Sequence, residues 1–234
     1  MMKIVNILLF AVAVLYVQAG KAQEDVTALV KKVSDRIDKV NDYEASGKMK
    51  TNVTFLKVPE SSVKIYFKKP NKLKIKNEKG ISFVPKGAVS INLSNILNGN
   101  KYSIIDAGTD KIGNTTVRVV KLLPEDDNGE VVLSTLYIDE NNLVIKKAKT
   151  TTRENGSYQL EMTYGKYIAY GLPDKINFTF NTKDYKLPKG VTFDFDDGTT
   201  QPKVAADDAK KNKGMAEIIF DSYRINKGVP DNMF

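Results

Sequence analysis

YFKKPNKLKIK, Tyr66 to Lys76, places five lysines among eleven residues and sets apolar side chains between them. Followed back to Val63, the alternation puts Val63, Ile65 and Phe67 on one side and Lys64, Tyr66 and Lys68 on the other. Beyond Pro70 and Asn71, Leu73 and Ile75 oppose Lys72, Lys74 and Lys76. A period of two is the pattern of a strand with one dry face, and Pro-Asn is turn chemistry. The stretch therefore predicts two half-buried strands meeting at a turn, apolar residues inward and lysines in water. Aromatic residues are interleaved too thinly for a stacking platform, so no nucleic-acid partner is expected.

The same alternation recurs downstream. Tyr158, Leu160, Met162 and Tyr164 alternate with Gln159, Glu161 and Thr163, and Ile176, Phe178 and Phe180 alternate with Lys175, Asn177 and Thr179. Short polar links separate such runs: PEDDNGE (Pro124 to Glu130), DENN (Asp139 to Asn142), ENGS (Glu154 to Ser157) and GLPD (Gly171 to Asp174). Links this short suit antiparallel hairpins, because parallel crossovers need a dozen or more residues. The chain reads as one long meander of about ten strands, too many to lie flat, so the sheet is expected to curl into an unclosed barrel or half-barrel. From Glu24 to Val40, Val26, Leu29, Val30, Val33, Ile37 and Val40 recur at three- and four-residue spacings, the stripe of an amphipathic helix. That helix must lid or plug the concave face. NLSNILN (Asn92 to Asn98) predicts a second, short helix, and residues 201–214 predict an exposed loop before a last strand at Met215 to Ile225.

Composition narrows the chemistry. The chain has 234 residues, no cysteine and no histidine. Zinc sites of the usual ligands, a Ser-His-Asp triad and a cysteine nucleophile are thereby excluded, and the expectation is a protein that is not an enzyme and carries no cofactor. The N-terminus has Lys3, an apolar run from Ile7 to Val17 and GKAQ ahead of Glu24, which is the pattern of a cleaved signal peptide over residues 1–22. Eleven apolar residues are too few for a membrane span, which takes about 20. Residues 23–234 then form a single domain, with 34 basic and 28 acidic residues once Lys3 and Lys21 are removed. An exported chain without cysteine fits the bacterial periplasm, soluble and without a lipid anchor.

Several segments together resemble the LolA-type periplasmic family of outer-membrane lipoprotein-sorting carriers. They are RIDKVNDYEASGKMK (Arg36 to Lys50), the YFKKPNKLKIK hairpin, GNTTVRVVKLLP (Gly113 to Pro124), LYIDENNLVIKKAK (Leu136 to Lys149), YGLPDKINFTF (Tyr170 to Phe180) and IIFDSYRINKGVPDNMF (Ile218 to Phe234). The resemblance implies an unclosed barrel under a helical lid, with a cavity for the acyl chains of a lipid or lipoprotein. It also implies an inner-membrane releasing complex and an outer-membrane acceptor as partners. In such carriers a basic residue before the proline of this hairpin turn, usually arginine, fastens the lid. The position here is Lys69, which lacks arginine's planar fork and implies a looser latch. A tryptophan-bearing strand usual in the family is replaced by ISFVPKGAVSINL, Ile81 to Leu93.

The expected cavity wall is Phe67, Leu73, Ile75, Met162, Tyr164, Phe178 and Phe180, the inward set of the strands quoted above. Apolar alternation alone equally describes a filled core. Two acidic turns, residues 125–130 and 194–198, offer oxygen ligands for calcium but lack the spacing of an EF-hand loop, so no metal is expected. A hydrolase built on Asp194 and Asp196 would need those acids in a cleft rather than at a turn. The remaining alternative to a carrier is an envelope sensor or regulatory module on the same fold, which binds a protein or lipoprotein without transporting it.

Overall fold

The structure is a computed structural model that describes residues 25–53, 56–57, 60–70, 72–77, 102–126, 129–154, 156–181 and 213–234. The expected signal peptide, the short helix at Asn92 to Asn98, the acidic turn at 194–198 and most of the 201–214 loop lie outside them. The described chain opens with one helix, α1, over residues 25–37. It continues with β1 (Asp42–Val53), β2 (Leu56–Lys57), β3 (Ser61–Lys68), β4 (Lys72–Asn77), β5 (Tyr102–Ile112), β6 (Thr115–Pro124), β7 (Val131–Asp139), β8 (Val144–Thr152), β9 (Ser157–Thr163), β10 (Lys175–Asn181) and β11 (Lys213–Ile225). All pairings are antiparallel, in the order β4-β3-β1-β11-β10-β9-β8-β7-β6-β5, with β2 attached to β1. This is the mainly β, curved and unclosed sheet with an N-terminal helix that the alternation and the helical stripe predict.

The single meander needs correcting. From β5 to β11 neighbours in sequence are neighbours in the sheet, but β11 then pairs with β1 rather than ending the sheet. Among the described residues the sheet ends at β4 and β5, in mid-chain. Hairpin links are visible in sequence because turn residues announce them, whereas a pairing between the first and last strands leaves no local signal. The exposed-loop expectation also overran. Lys213 and Gly214 already belong to β11, where Gly214 faces Phe180, and a Cβ at 214 would collide with the Phe180 ring.

Two apolar clusters line the concave side. In the larger, Val26, Leu29, Val30 and Val33 of α1 pack against Leu122, Leu136, Ile138, Ile145, Leu160 and Phe178 of β6 to β10. Burying four such helix side chains is worth on the order of 6–12 kcal/mol, counted against a fully exposed chain and hence an upper figure. The smaller cluster is Ala45, Met49, Val63, Ile65 and Ile218, from β1, β3 and β11. At the N-terminal end of α1 the Arg118 guanidinium meets the carboxylates of Asp25 at 2.8 Å, Asp106 at 3.4 Å and Glu140 at 3.4 Å.

On the convex side the lysines of the opening stretch do not simply face water. Lys68 and Lys72 both donate to Asp231 Oδ1, at 3.0 and 2.9 Å, and Lys74 donates to the carbonyl oxygen of Phe234 at 3.0 Å. Lys76 lies over the Tyr66 ring at 5.4 Å. The chain after β11 therefore straps the outer face of the β3–β4 hairpin, a use of charge that alternation cannot reveal. The two lysines hold the Asp231 carboxyl down at about 2, below its ordinary 3.8. A carboxylate so depressed favours the folded form above the ordinary value and loses that effect as the pH falls through about 2. An NMR titration should place the Asp231 midpoint near 2, and Asp231→Asn should free the strap at neutral pH.

Candidate ligand-binding cavity

Where the two apolar clusters meet they do not merge. Between them lies an apolar cavity of about 90 Å³, roofed by Ile37 and Val40 at the C-terminal end of α1. Its floor comes from β1, β3, β4 and β11, and one wall from Met162 of β9 and Ile176 of β10. The remaining rim is the β9–β10 connection, through Tyr170, Gly171, Leu172 and Pro173. The space is roughly six times what one water molecule requires. With the helix in place it is too small for a whole long hydrocarbon chain.

The expected wall residues divide in two. Phe67, Leu73, Ile75 and Met162 line the cavity. Phe178 and Phe180 sit in the filled cluster under α1, their rings tilted against each other at 5.4 Å, with Phe178 also 5.5 Å from Tyr158. Tyr164 packs against that cluster and donates its hydroxyl to the carbonyl of Ile145 at 2.8 Å. All seven point inward as alternation requires, but alternation cannot say which part of an inner face its own helix fills. The helix is thus a plug along its first turns, and only its last turn covers the cavity.

Sequence reasoning missed an aromatic group at the cavity's edge. Tyr43 of β1 lies 5.2 Å from Phe67 and 5.4 Å from Tyr223, and Tyr223 lies 4.9 Å from both Tyr167 and Phe220. The Tyr223 hydroxyl donates to the carbonyl of Pro173 at 2.8 Å, fastening the β9–β10 connection to β11. Burial pushes the hydroxyls of Tyr43, Tyr164 and Tyr223 well above their ordinary value. They are neutral donors at any physiological pH. A period-two reading of β11 at Phe220 to Ile225 would have found part of this group, but the register shift at Ser46 and Gly47 in the β1–β11 ladder breaks the alternation there.

The end of α1 is held by three contacts. Lys69 turns its ammonium inward and donates to the Asp38 carbonyl at 2.7 Å and its carboxylate at 2.9 Å, at the place the family resemblance implies for a lid fastening. Arg36 donates to the carbonyl of Ile168 at 3.1 Å. Gly171, with φ of +67°, lets the β9–β10 connection run beside the helix: a Cβ there would meet Ile37 at an ordinary 3.5 Å, but the left-handed backbone would strain any side chain. Lys69→Met removes an ion pair that is about one-third exposed, so the loss is no more than about 1 kcal/mol, or about 2–4 °C in thermal midpoint. The same change should speed the exchange of an apolar dye between protein and vesicles, read by stopped-flow fluorescence.

Among the described residues no group of acidic side chains is placed to hold a metal ion, and no helix is long and apolar enough to cross a membrane. An open antiparallel sheet curled around an apolar cavity, with one helix laid across its mouth, defines a lidded half-barrel. More narrowly, the chain has a LolA-like fold. It superimposes on a protein described as an outer membrane lipoprotein-sorting domain from Vibrio parahaemolyticus with a TM-score of 0.53 and 12% identity, over 90% of this chain and 96% of that one. A DUF1329 family protein from Desulfovibrio piger gives 0.55 and 13%, over 89% and 96%. A LolA superfamily protein from Nitrosomonas europaea gives 0.54 and 10%, over 88% and 96%. No protein-family model and no curated protein matches the chain.

Proposed function

We propose that this chain is a periplasmic carrier that shelters the acyl chains of a lipid or lipoprotein on their way toward the outer membrane, without catalysing a reaction. The observation that carries the reading is the apolar cavity left between two otherwise packed clusters, roofed by the end of a helix that polar contacts hold in place. Burial of methylenes supplies the affinity: about 0.8 kcal/mol each, so on the order of 12 kcal/mol for fifteen before the costs of binding are subtracted. Loading requires the last turn of α1 to swing out while Val26 to Val33 stay anchored, so the motion is a hinge and not a lift of the whole helix. Lys69 serves as the latch, and Phe67, Leu73, Ile75 and Met162 serve as wall. The signal-like pattern of residues 1–22 supports an exported, soluble location, and the LolA-like fold supports a releasing complex and an acceptor at the two membranes as partners.

The test is purification of the mature protein under native conditions, lipid extraction and mass spectrometry, followed by transfer of a labelled lipoprotein to acceptor vesicles. Bound acyl lipid together with transfer supports the carrier. An empty protein that takes up nothing from vesicles defeats it. A stable cross-linked protein partner with no transfer would point instead to a sensor on the same fold.

A further inference from the structure

The floor of the cavity belongs to a series of cross-strand rows on the inner face that continues past the cavity lining, through Met49 of the smaller cluster, to two hydroxyl groups. In the first row Tyr43 faces Phe67, and Phe67 faces Leu73; in the next, Ala45 faces Ile65, and Ile65 faces Ile75. Gly47 follows, opposite Val63 and Phe220, and then Met49, which lies between Ser61 on one side and Ile218 on the other. The cavity-lining residues Phe67, Ile65, Phe220 and Ile218 climb through these four rows. Six residues of strand cover about 20 Å. One leaflet of a bilayer, half of a hydrocarbon core about 30 Å thick, holds acyl chains over about 15 Å. The rows are long enough for one chain, laid along β1.

At the far end the surface turns polar. Ser61 shares the row of Met49 and Ile218, and Thr51 is the next residue on the same face of β1, a diagonal neighbour at roughly 7 Å. Both side chains are buried, Thr51 to 5% and Ser61 to 8% exposure, and neither hydroxyl has a hydrogen-bond partner among the described residues. Buried hydroxyls without partners carry a desolvation cost, and natural structures seldom keep two side by side. The residues around them, Met49, Val63, Ala216 and Ile218, are apolar. Two neutral donors in such surroundings suit a neutral acceptor. Among the described residues around them none is a cation that could meet a free carboxylate.

We propose that Thr51 and Ser61 form the polar end of the acyl site and donate to the carbonyl oxygen of an acyl ester or amide, with the chain running from there toward Ile37. This rests on the acyl-binding reading and specifies it: the ligand is an esterified or amidated chain, selected over a free fatty acid and over a plain hydrocarbon. An ester is the linkage of a glycerolipid and an amide that of an N-acylated protein terminus.

The test is competition for a fluorescent apolar dye by four probes of equal chain length: hexadecanoyl methyl ester, N-methyl hexadecanamide, hexadecanoate and hexadecane. The wild-type protein should prefer the better of the ester and the amide over hexadecane by on the order of tenfold, as two hydrogen bonds provide. Which of the two ranks higher identifies the glycerolipid or the N-acylated terminus as the source. Thr51→Val with Ser61→Ala should abolish the preference while leaving hexadecane binding unchanged, and should raise the thermal midpoint of the lipid-free protein by a few degrees, because it removes two unpartnered hydroxyls. Ser61→Ala alone should lower the preference about threefold. Thr51→Ser, which keeps a hydroxyl, should retain it. Equal binding of all four probes by the wild type, or a preference that survives in the double variant, overturns this assignment and leaves the acyl cavity standing. Binding of none of the four overturns both.

Discussion

Ile75→Trp should abolish acyl binding while leaving the protein folded. Ile75 projects into the cavity from β4, an edge strand on which it is only half buried, so the larger indole can be accommodated by outward movement of the hairpin. The room it takes is room the ligand loses. Displacing as few as four methylenes costs about 3 kcal/mol, so affinity should fall by at least about a hundredfold. The thermal midpoint should shift by no more than a few degrees. Lipid recovered after native purification reads the first quantity and calorimetry the second. Undiminished lipid on a folded Ile75→Trp protein would place the ligand outside this cavity.

Val33→Asp should be the most damaging single change in the helix. Val33 is 1% exposed, in the middle of the apolar cluster that α1 makes with β6 to β10. An aspartate there must either bury an unpaired charge or pull the helix away from the sheet. Either route costs more than about 4 kcal/mol. Urea denaturation should show the loss, with increased binding of an apolar dye to the uncovered sheet. Lys69→Met, by contrast, loosens only the last turn. The two variants together separate the anchoring part of the helix from the moving part, and a Val33→Asp protein as stable as the wild type would contradict that division.

Much of this architecture is legible in the sequence because it is written in local chemistry. Alternation marks β3, β4, β9 and β10, the 3.6-residue stripe marks α1, and DENN and ENGS mark two of the tight turns. In the first of these, Asp139 Oδ1 accepts from the backbone N–H groups of Asn141 and Asn142, as turn chemistry requires. The helix ends at residue 37 rather than at Val40, yet Val40 remains buried and roofs the cavity, so the stripe read burial correctly where it misjudged the backbone. The candidate site was legible only in part. Phe67 and Phe178 carry the same sequence signal, and what separates them is the position of α1 over the finished sheet. Thr51 and Ser61 gave no signal at all, since a hydroxyl on a strand is ordinary until its surroundings are known. The lysines misled for a similar reason: the carboxylate that meets Lys68 and Lys72 lies more than 150 residues further along the chain.

The pairing of β1 with β11 bears on the order of events during biogenesis. In the hydrogen-bonded ladder of the sheet the β3–β4 hairpin is joined to the long run from β5 to β10 through these two central strands, and one of them is made of the last residues of the sheet. Until that final segment has emerged, the ladder between the two halves is incomplete, and the cavity lacks the part of its floor that Ile218, Phe220 and Tyr223 supply. Contacts between the extremities of a chain form slowly, because so much intervening polypeptide must be brought to order first. A polypeptide whose central ladder waits for its last strand stays incompletely folded until synthesis of that strand is finished, and only then completes its container.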